Sequence, residues 1–230
     1  MYYKIDKIKK LNGRFKQEDK FKDLQMFFKR KIGRTYIDVI IEQKRFIELV
    51  NRKDILIKGN KKKIDSNECF FIFTDGSSRN NRYSDAGECL SAYAYIITKG
   101  KKILVRNANG PYMKEMSQFS ELLAINKSIN KIKSSEYYNK DSQILLIGDS
   151  LSAIEGITEF SYIWRENDWK KISSSDYISN RLLYENILDN IAHLNISFSW
   201  IRSHTGKRDD FFYQLNSQVD KMASKEVRKY

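Results

Sequence analysis

A single proline, Pro111, and only ten glycines stand in 230 residues. Long disordered linkers are built from such chain breakers, so their scarcity argues against any. Cysteine is almost as rare. Cys69 and Cys89 lie twenty positions apart, with no Cys-x-x-Cys or paired-histidine spacing around them. That pattern speaks against a zinc module, and a chain of this length needs no disulfide to hold its core. No apolar run approaches the ~20 residues that a membrane-spanning helix requires. The opening Met-Tyr-Tyr-Lys-Ile-Asp has no basic stretch leading into an apolar one, so it does not read as a secretory signal. The expectation is a cytoplasmic protein.

What the chain has in abundance is positive charge: 42 Lys and Arg against 29 Asp and Glu, a net +13. The excess is uneven. Residues 1–68 carry 20 basic against 10 acidic side chains, and residues 69–230 carry 22 against 19. A basic arm beside a nearly balanced remainder points to a polyanion, because each neutralised phosphate releases condensed counterions. The competing reading is lysine retained for solubility. Hydrophobic residues make up 41% of the chain and aromatics 13%, enough for a buried core.

The pattern divides the chain into a basic N-terminal α+β segment, residues 1–63, and a larger domain, residues 69–230. In the first part Lys20–Lys31 has Phe21, Leu24, Phe27 and Phe28 at near-helical spacing. Thr35–Ile41 and Asp54–Lys58 read as strands, and Gly59–Lys63 as the linker. From Cys69 the texture changes. Phe70–Thr74 is a continuous apolar run that meets a turn at Asp75-Gly76-Ser77. Leu90–Thr98 and Lys101–Arg106 read as two strands joined by a tight hairpin. Ser117 caps a helix to about Lys133, with Leu122, Ile125, Ile129 and Ile132 on one face. Ile144–Ile147 is a second buried strand, ending in Gly148-Asp149-Ser150. Short helices follow at Leu151–Ile157 and Ser179–His193, then a strand at Asn195–Ile201 and a last helix from about Asn216 to Val227. This order predicts an α/β fold, a five-stranded mixed sheet flanked by helices.

Two of the apolar strands finish in an aspartate, Asp75 and Asp149. If those strands run centrally and parallel, their carboxyl ends lie together, where open α/β sheets place their sites. Taken singly, Asp-Gly and Asp-Ser are ordinary turn openers; as a pair they are not. Glu121 falls on the apolar stripe of its helix, although a place at the stripe's edge beside a lysine would also explain it. Asp220 sits among Leu215, Val219 and Met222 in the last helix, or else is a solvated surface acid. Buried carboxylates repel one another unless something cationic joins them. An oxygen-only donor set suits Mg²⁺ or Mn²⁺, and two such ions could activate a water and stabilise the leaving oxygen of a phosphodiester.

Over roughly residues 69–228 the chain resembles the ribonuclease H family, type 1. The matching pieces are Thr74-Asp75-Gly76-Ser77, Phe119-Ser120-Glu121-Leu122-Leu123-Ala124, Gly148-Asp149-Ser150, Trp200-Ile201-Arg202-Ser203-His204-Thr205-Gly206 and Asn216-x-x-x-Asp220-x-x-Ala223. Each fragment is weak alone; five in order, on matching elements, are not. The resemblance implies an endonuclease that hydrolyses the RNA strand of RNA–DNA hybrids with two Mg²⁺ ions, leaving 3′-hydroxyl and 5′-phosphate ends. Asp75, Glu121, Asp149 and Asp220 would then be the metal ligands, and His204, on a flexible loop, would assist proton movement or the departure of product and metal; the ordinary histidine pKa of about 6.5 suits proton transfer. His193, at the end of a helix, reads as a C-terminal cap. Gly76, Ser77, Gln118 and Asn216 resemble positions that contact the hybrid, whose wide minor groove exposes 2′-hydroxyls. Trp164–Lys171 is similar to a basic protrusion that grips the DNA strand, which makes Trp169, Lys170 and Lys171 further substrate-binding candidates; equally, the tryptophans could anchor an irregular loop in the core.

Two departures from the family stand out. The stretch Lys207–Leu215 is longer than usual between the histidine and the last acid, and residues 1–68 do not visibly match the small hybrid-binding module that some relatives carry at their start; they could do that job by another fold, bind a polymerase or other protein, or merely pack on the nuclease. Rival readings are a DNA-cutting integrase or resolvase of the same superfamily, which seldom combines Asp-Gly-Ser with His-Thr-Gly, and a non-catalytic nucleic-acid-binding protein, which would gain nothing from four clustered acids facing phosphates.

Overall fold

The protein is described by a computed structural model covering residues 55–59, 68–80, 89–113, 117–171, 175–203 and 210–229. The elements run β1 (Ile55–Gly59), β2 (Phe70–Asn80), β3 (Cys89–Lys99), β4 (Lys102–Met113), α1 (Ser117–Lys133) and β5 (Gln143–Gly148). Then come α2 (Leu151–Glu155), a π-helical turn (Gly156–Phe160), α3 (Ser161–Glu166), α4 (Arg181–Ile191), β6 (Asn195–Ile201) and α5 (Phe211–Val227). The strands form one sheet in the order β1-β6-β5-β2-β3-β4. β2, β5 and β6 are parallel neighbours, β2-β3-β4 is an antiparallel meander, and β1 lies antiparallel on β6.

The five strands β2 to β6 are those the sequence predicts, in the predicted chain order. The apolar character of the central strands β2 and β5 follows from being covered on both faces. Along β2, Phe70 and Ile72 join the core beneath α1, together with Leu122, Ile125, Ile129 and Ile132. The alternate residues Phe71 and Phe73 point the other way, into a second core with Leu215, Val219 and Ala223 of α5. A period of two along the strand thus feeds two helical layers from one run of phenylalanines.

Several boundaries differ from expectation: β4 runs on to Met113, well past Arg106, and helix continues beyond Ile157 to Glu166. β2 does not stop at a turn after Thr74. Its pairing with β5 ends there, but β3 continues to pair with it residue by residue as far as Asn80, so Asp75-Gly76-Ser77 stays extended. α5 begins at Phe211, not near Asn216. Asp210 caps it by accepting hydrogen bonds from the backbone N–H of Phe212 and Tyr213, at 3.0 and 3.3 Å. Phe211 and Phe212 then pack edge-on against Phe71 at 6.2 and 5.5 Å, so residues 211–215 belong to a docked helix and not to a long loop. Finally, the strand expected near Asp54–Lys58 is present as β1, and it joins the main sheet as a sixth strand. α4 ends at Ile191 with Ala192 at its C-cap, and His193 lies exposed beyond it.

Losing an N-cap side chain costs about 0.5–2 kcal/mol. Asp210→Ala is therefore expected to lower the melting temperature by a few degrees, at about 2–4 °C per kcal/mol for a chain this size. Thermal unfolding followed by circular dichroism checks this; an unmoved transition would show that Asp210 does not secure α5.

Candidate active site

Thr74 of β2 pairs with Gly148 of β5 in the last step of their parallel ladder. Asp75 and Asp149 are the next residues on each chain, so the two carboxylates start side by side at the carboxyl end of two central strands. Asp75 is also fixed from the other side, opposite Ala94 of β3. The loop after β5 is held by Trp200, whose indole N–H donates to the backbone carbonyl of Asp149 at 2.9 Å.

Glu121 arrives on α1, which crosses β2 at Gly76. A Cβ on Gly76 would stand 2.6 Å from the Ser120 Oγ and 2.7 Å from its carbonyl carbon. Only glycine lets helix backbone rest on strand backbone here, and that contact sets Glu121 beside the two aspartates. Carboxylate oxygens of Asp75, Glu121 and Asp149 all lie within 4.8 Å of one another. Asp220 approaches from α5 in the opposite layer, close enough for its charge to act on both Asp75 and Glu121. Its carboxylate accepts a hydrogen bond from Ser224 one turn on, at 3.5 Å, and Ser224 lies 3.5 Å from the hydroxyl of Ser77.

The electrostatics follow from burial and crowding. Burial, then the charges of Asp149 and Asp220, pushes the Asp75 carboxyl up to about 8, against the lowering effect of a hydrogen bond from the Gly76 amide. Glu121 is pushed well above the carboxylate range by burial first, then by Asp75 and Asp149. Oxygen-only donors this close and this short of solvent fit a hard divalent cation, which would bring the group back to its ionised state.

The remaining predicted positions divide. Gln118 sits one turn before Glu121 on α1, and its side-chain amide donates to the hydroxyl of Tyr184 at 3.2 Å. Asn216 stands one turn before Asp220, 5% exposed, and its Oδ1 has no hydrogen-bond partner among the described residues. Gly76 is covered by α1, and Ser77 is half-buried. Lys170 and Lys171 are exposed, the latter 3.6 Å from Asp176. Trp169 is a correction. Its ring is only 5% exposed and lies in the core beside Trp164, with ring centroids 6.4 Å apart, so it cannot stack on a nucleic acid. Left-handed backbone at Asp168 and Trp169, φ 52° and 60°, turns the side chain inward; a conformation this unfavourable for non-glycine residues persists where burial holds it. His204 lies outside the described residues. Reading the sequence missed Ser224, although its spacing of four from Asp220 offered a signal, and Tyr184, for which an apolar helical stripe gave none.

A sequence profile for RNase H matches residues 67–228. The chain belongs to the RNase H family. A curated relative named ribonuclease H, from Haemophilus influenzae strain 86-028NP, is 29% identical over 154 residues, covering 67% of this chain and 86% of that protein. Among solved structures, the RNase H domain of prototype foamy virus superposes with a TM-score of 0.57 at 15% identity, covering 69% of this chain and 93% of that one. The protease-reverse transcriptase of the same virus gives 0.63 at 14% identity, and there the match spans 75% of this chain but only 23% of the viral protein. At such identities the two structures speak to the RNase H fold alone. β1 precedes the matched region.

For Asp75, a folded pKa of about 8 against an ordinary 3.8 means the native state binds the extra proton. The resulting penalty is absent below about pH 4, grows as pH rises, and is complete above about pH 8. In EDTA the melting temperature is expected to fall across that window, and Asp75→Asn to flatten the fall and exceed the wild type at pH 8.5. Added Mg²⁺ should restore the wild type and leave the variant little changed. Parallel curves for both proteins would show that the carboxylates are not crowded.

Proposed function

We propose that this RNase H family member hydrolyses the RNA strand of RNA–DNA hybrids, with two Mg²⁺ ions held by Asp75, Glu121, Asp149 and Asp220. The observation that carries the reading is the convergence of three carboxylates within 4.8 Å at the carboxyl end of the β2–β5 pair, in a chain whose curated relatives are named ribonuclease H. When bound, such ions supply Lewis acidity and lower the pKa of a coordinated water. The chain's own part is to hold the carboxylates in register, with the Gly76 amide donating to Asp75 and Glu121, and to shed the protons those two carry. His204 assists proton movement between the attacking water and the leaving oxygen, or the departure of product and metal. Gly76, Ser77, Gln118 and Asn216 line the path of the RNA strand; Lys170 and Lys171 meet the DNA backbone as exposed charges on a loop that Trp169 anchors.

The basic residues 1–63 serve in this reading as a phosphate-binding arm. Support comes from the register of β1. Ile55 pairs with Ile201, one step beyond the row in which Trp200 pairs with Gly148 and Gly148 with Thr74. Ile55 and Ile201 therefore lie at the end of the sheet where Asp75 and Asp149 follow Thr74 and Gly148. The chain preceding Ile55 joins the sheet at the edge that bears the carboxylates.

An internally labelled hybrid is expected to be cut with Mg²⁺, while duplex DNA and duplex RNA are spared. Asp75→Asn and Asp149→Asn should each reduce cleavage by at least about 100-fold with circular dichroism unchanged; cutting that survives either change, or survives EDTA, would defeat the proposal. Removing residues 1–53, which spares β1, should weaken hybrid binding and make log Kd less steep in log salt, with kcat retained. An unaltered salt slope would mean the arm does not touch phosphates.

A further inference from the structure

Tyr184 comes from α4, outside every motif of the family resemblance, yet it reaches the site through Gln118. It is fully buried, and its hydroxyl accepts from the Gln118 side-chain amide at 3.2 Å. The ring is tightly seated. A Cβ on Gly156 would stand 2.7 Å from its Cε1 and 2.8 Å from its Cζ, and Trp164 packs edge-on with centroids 5.1 Å apart. α4 is itself tied to α1 further along: the Asn190 amide donates to Asn126 at 3.2 Å, and Lys133 Nζ to the Asn190 Oδ1 at 2.9 Å. Burial pushes the Tyr184 phenol up, so it stays a neutral hydroxyl at any working pH.

The consequence falls on Gln118. A free glutamine on the first turn of a helix samples many rotamers, and fixing it on binding costs up to ~1.5–2 kcal/mol of side-chain entropy. Here one amide hydrogen is already taken by a phenol that cannot move, while the helix fixes Gln118 one turn from Glu121. Its carbonyl oxygen and second N–H remain for a ligand.

We propose that Tyr184 is a positioning residue for substrate binding: it holds the Gln118 amide ready for the RNA strand, acting through Gln118 and touching neither the substrate nor the metal ligands. This rests on the ribonuclease reading above, which assigns Gln118 to the hybrid. The chemistry to be recognised is a hydrogen-bonding group of the RNA strand in the minor groove, and a 2′-hydroxyl fits it.

Tyr184→Phe removes only the hydroxyl and keeps the ring against Gly156 and Trp164. With saturating Mg²⁺ and a short RNA–DNA hybrid, it is expected to raise KM about three- to ten-fold, the worth of one hydrogen bond, with kcat within about two-fold. Gln118→Ala should raise KM by at least as much, and adding Tyr184→Phe to it should raise KM no further, since coupled residues are non-additive. A purely structural tyrosine would lower the melting temperature and leave KM alone; an unmoved KM in Tyr184→Phe, or effects that multiply in the double variant, overturns the proposal. Should the variant not fold, the side-chain amide signals of Gln118 in the wild type decide by NMR: slowed hydrogen exchange supports the bond to Tyr184, and free exchange refutes it. A wild type that cuts no hybrid sinks the ribonuclease reading itself, whereas one that cuts with the same KM as Tyr184→Phe sinks only this inference.

Discussion

Mutual repulsion among Asp75, Glu121 and Asp149 is the constraint the rest of the structure answers to. Two unit charges 4.8 Å apart at an effective dielectric of ~20 repel by about 3–4 kcal/mol, and these three acids have oxygens at that distance or less. Three such pairs rival the roughly 5–15 kcal/mol that holds a whole domain folded. The acids nevertheless cannot drift apart. Asp75 and Asp149 directly follow paired residues of two central strands whose flanking side chains, Ile72, Phe73, Leu146 and Ile147, are fully buried, and Glu121 is fixed by the contact of α1 with Gly76. Protonation or a cation must therefore relieve what the backbone will not. A sheet rigid enough to hold like charges together is also rigid enough to present them to a divalent ion without rearrangement.

This is why so much of the site was legible in the sequence. An aspartate at the end of an apolar run is unremarkable in solution terms but costly once both strands are central, and the two runs Phe70–Thr74 and Ile144–Ile147 announced central strands by having no polar alternation. Glu121 stood out for the same reason: a carboxylate on the apolar stripe of a helix demands compensation. Periodicity and the cost of burying charge raised these acids as candidates, and the resemblance to the ribonuclease H family, carried by five fragments in order, joined them with Asp220 into one ligand set.

What escaped the sequence depends on partners that are distant in the chain. β2 continues past Thr74 because β3 goes on pairing with it, and no property of Asp75-Gly76-Ser77 distinguishes an extended stretch from a turn. Trp169 offered two equal readings, and the choice was made by two left-handed residues and the neighbouring Trp164. α5 starts early because Phe211 and Phe212 find Phe71 and Phe73 beneath them. Here a local signal did exist, Asp210 as a cap ahead of an aromatic pair, but the family's usual short loop drew attention to Asn216. The bond between Gln118 and Tyr184 had no sequence signal, since both ends look ordinary on their own helices.

The distribution of charge then takes on a geometric meaning. Residues 69–230 are close to neutral, with 22 basic against 19 acidic side chains, and their most crowded feature is acidic. Such a surface offers little attraction to a polyphosphate backbone, and the carboxylates themselves oppose it. Metal ions cancel that opposition only at the reaction centre, within about a Debye length of ~8 Å at physiological salt. Attraction over the rest of a nucleic-acid duplex has to come from cationic side chains elsewhere, and the chain concentrates 20 of its 42 in residues 1–68. Sixteen of those 20 precede Ile55, and β1, antiparallel to β6, begins at the end of the sheet where Thr74 and Gly148 lead into the carboxylates; the phosphate-binding role proposed for the arm rests on that placement.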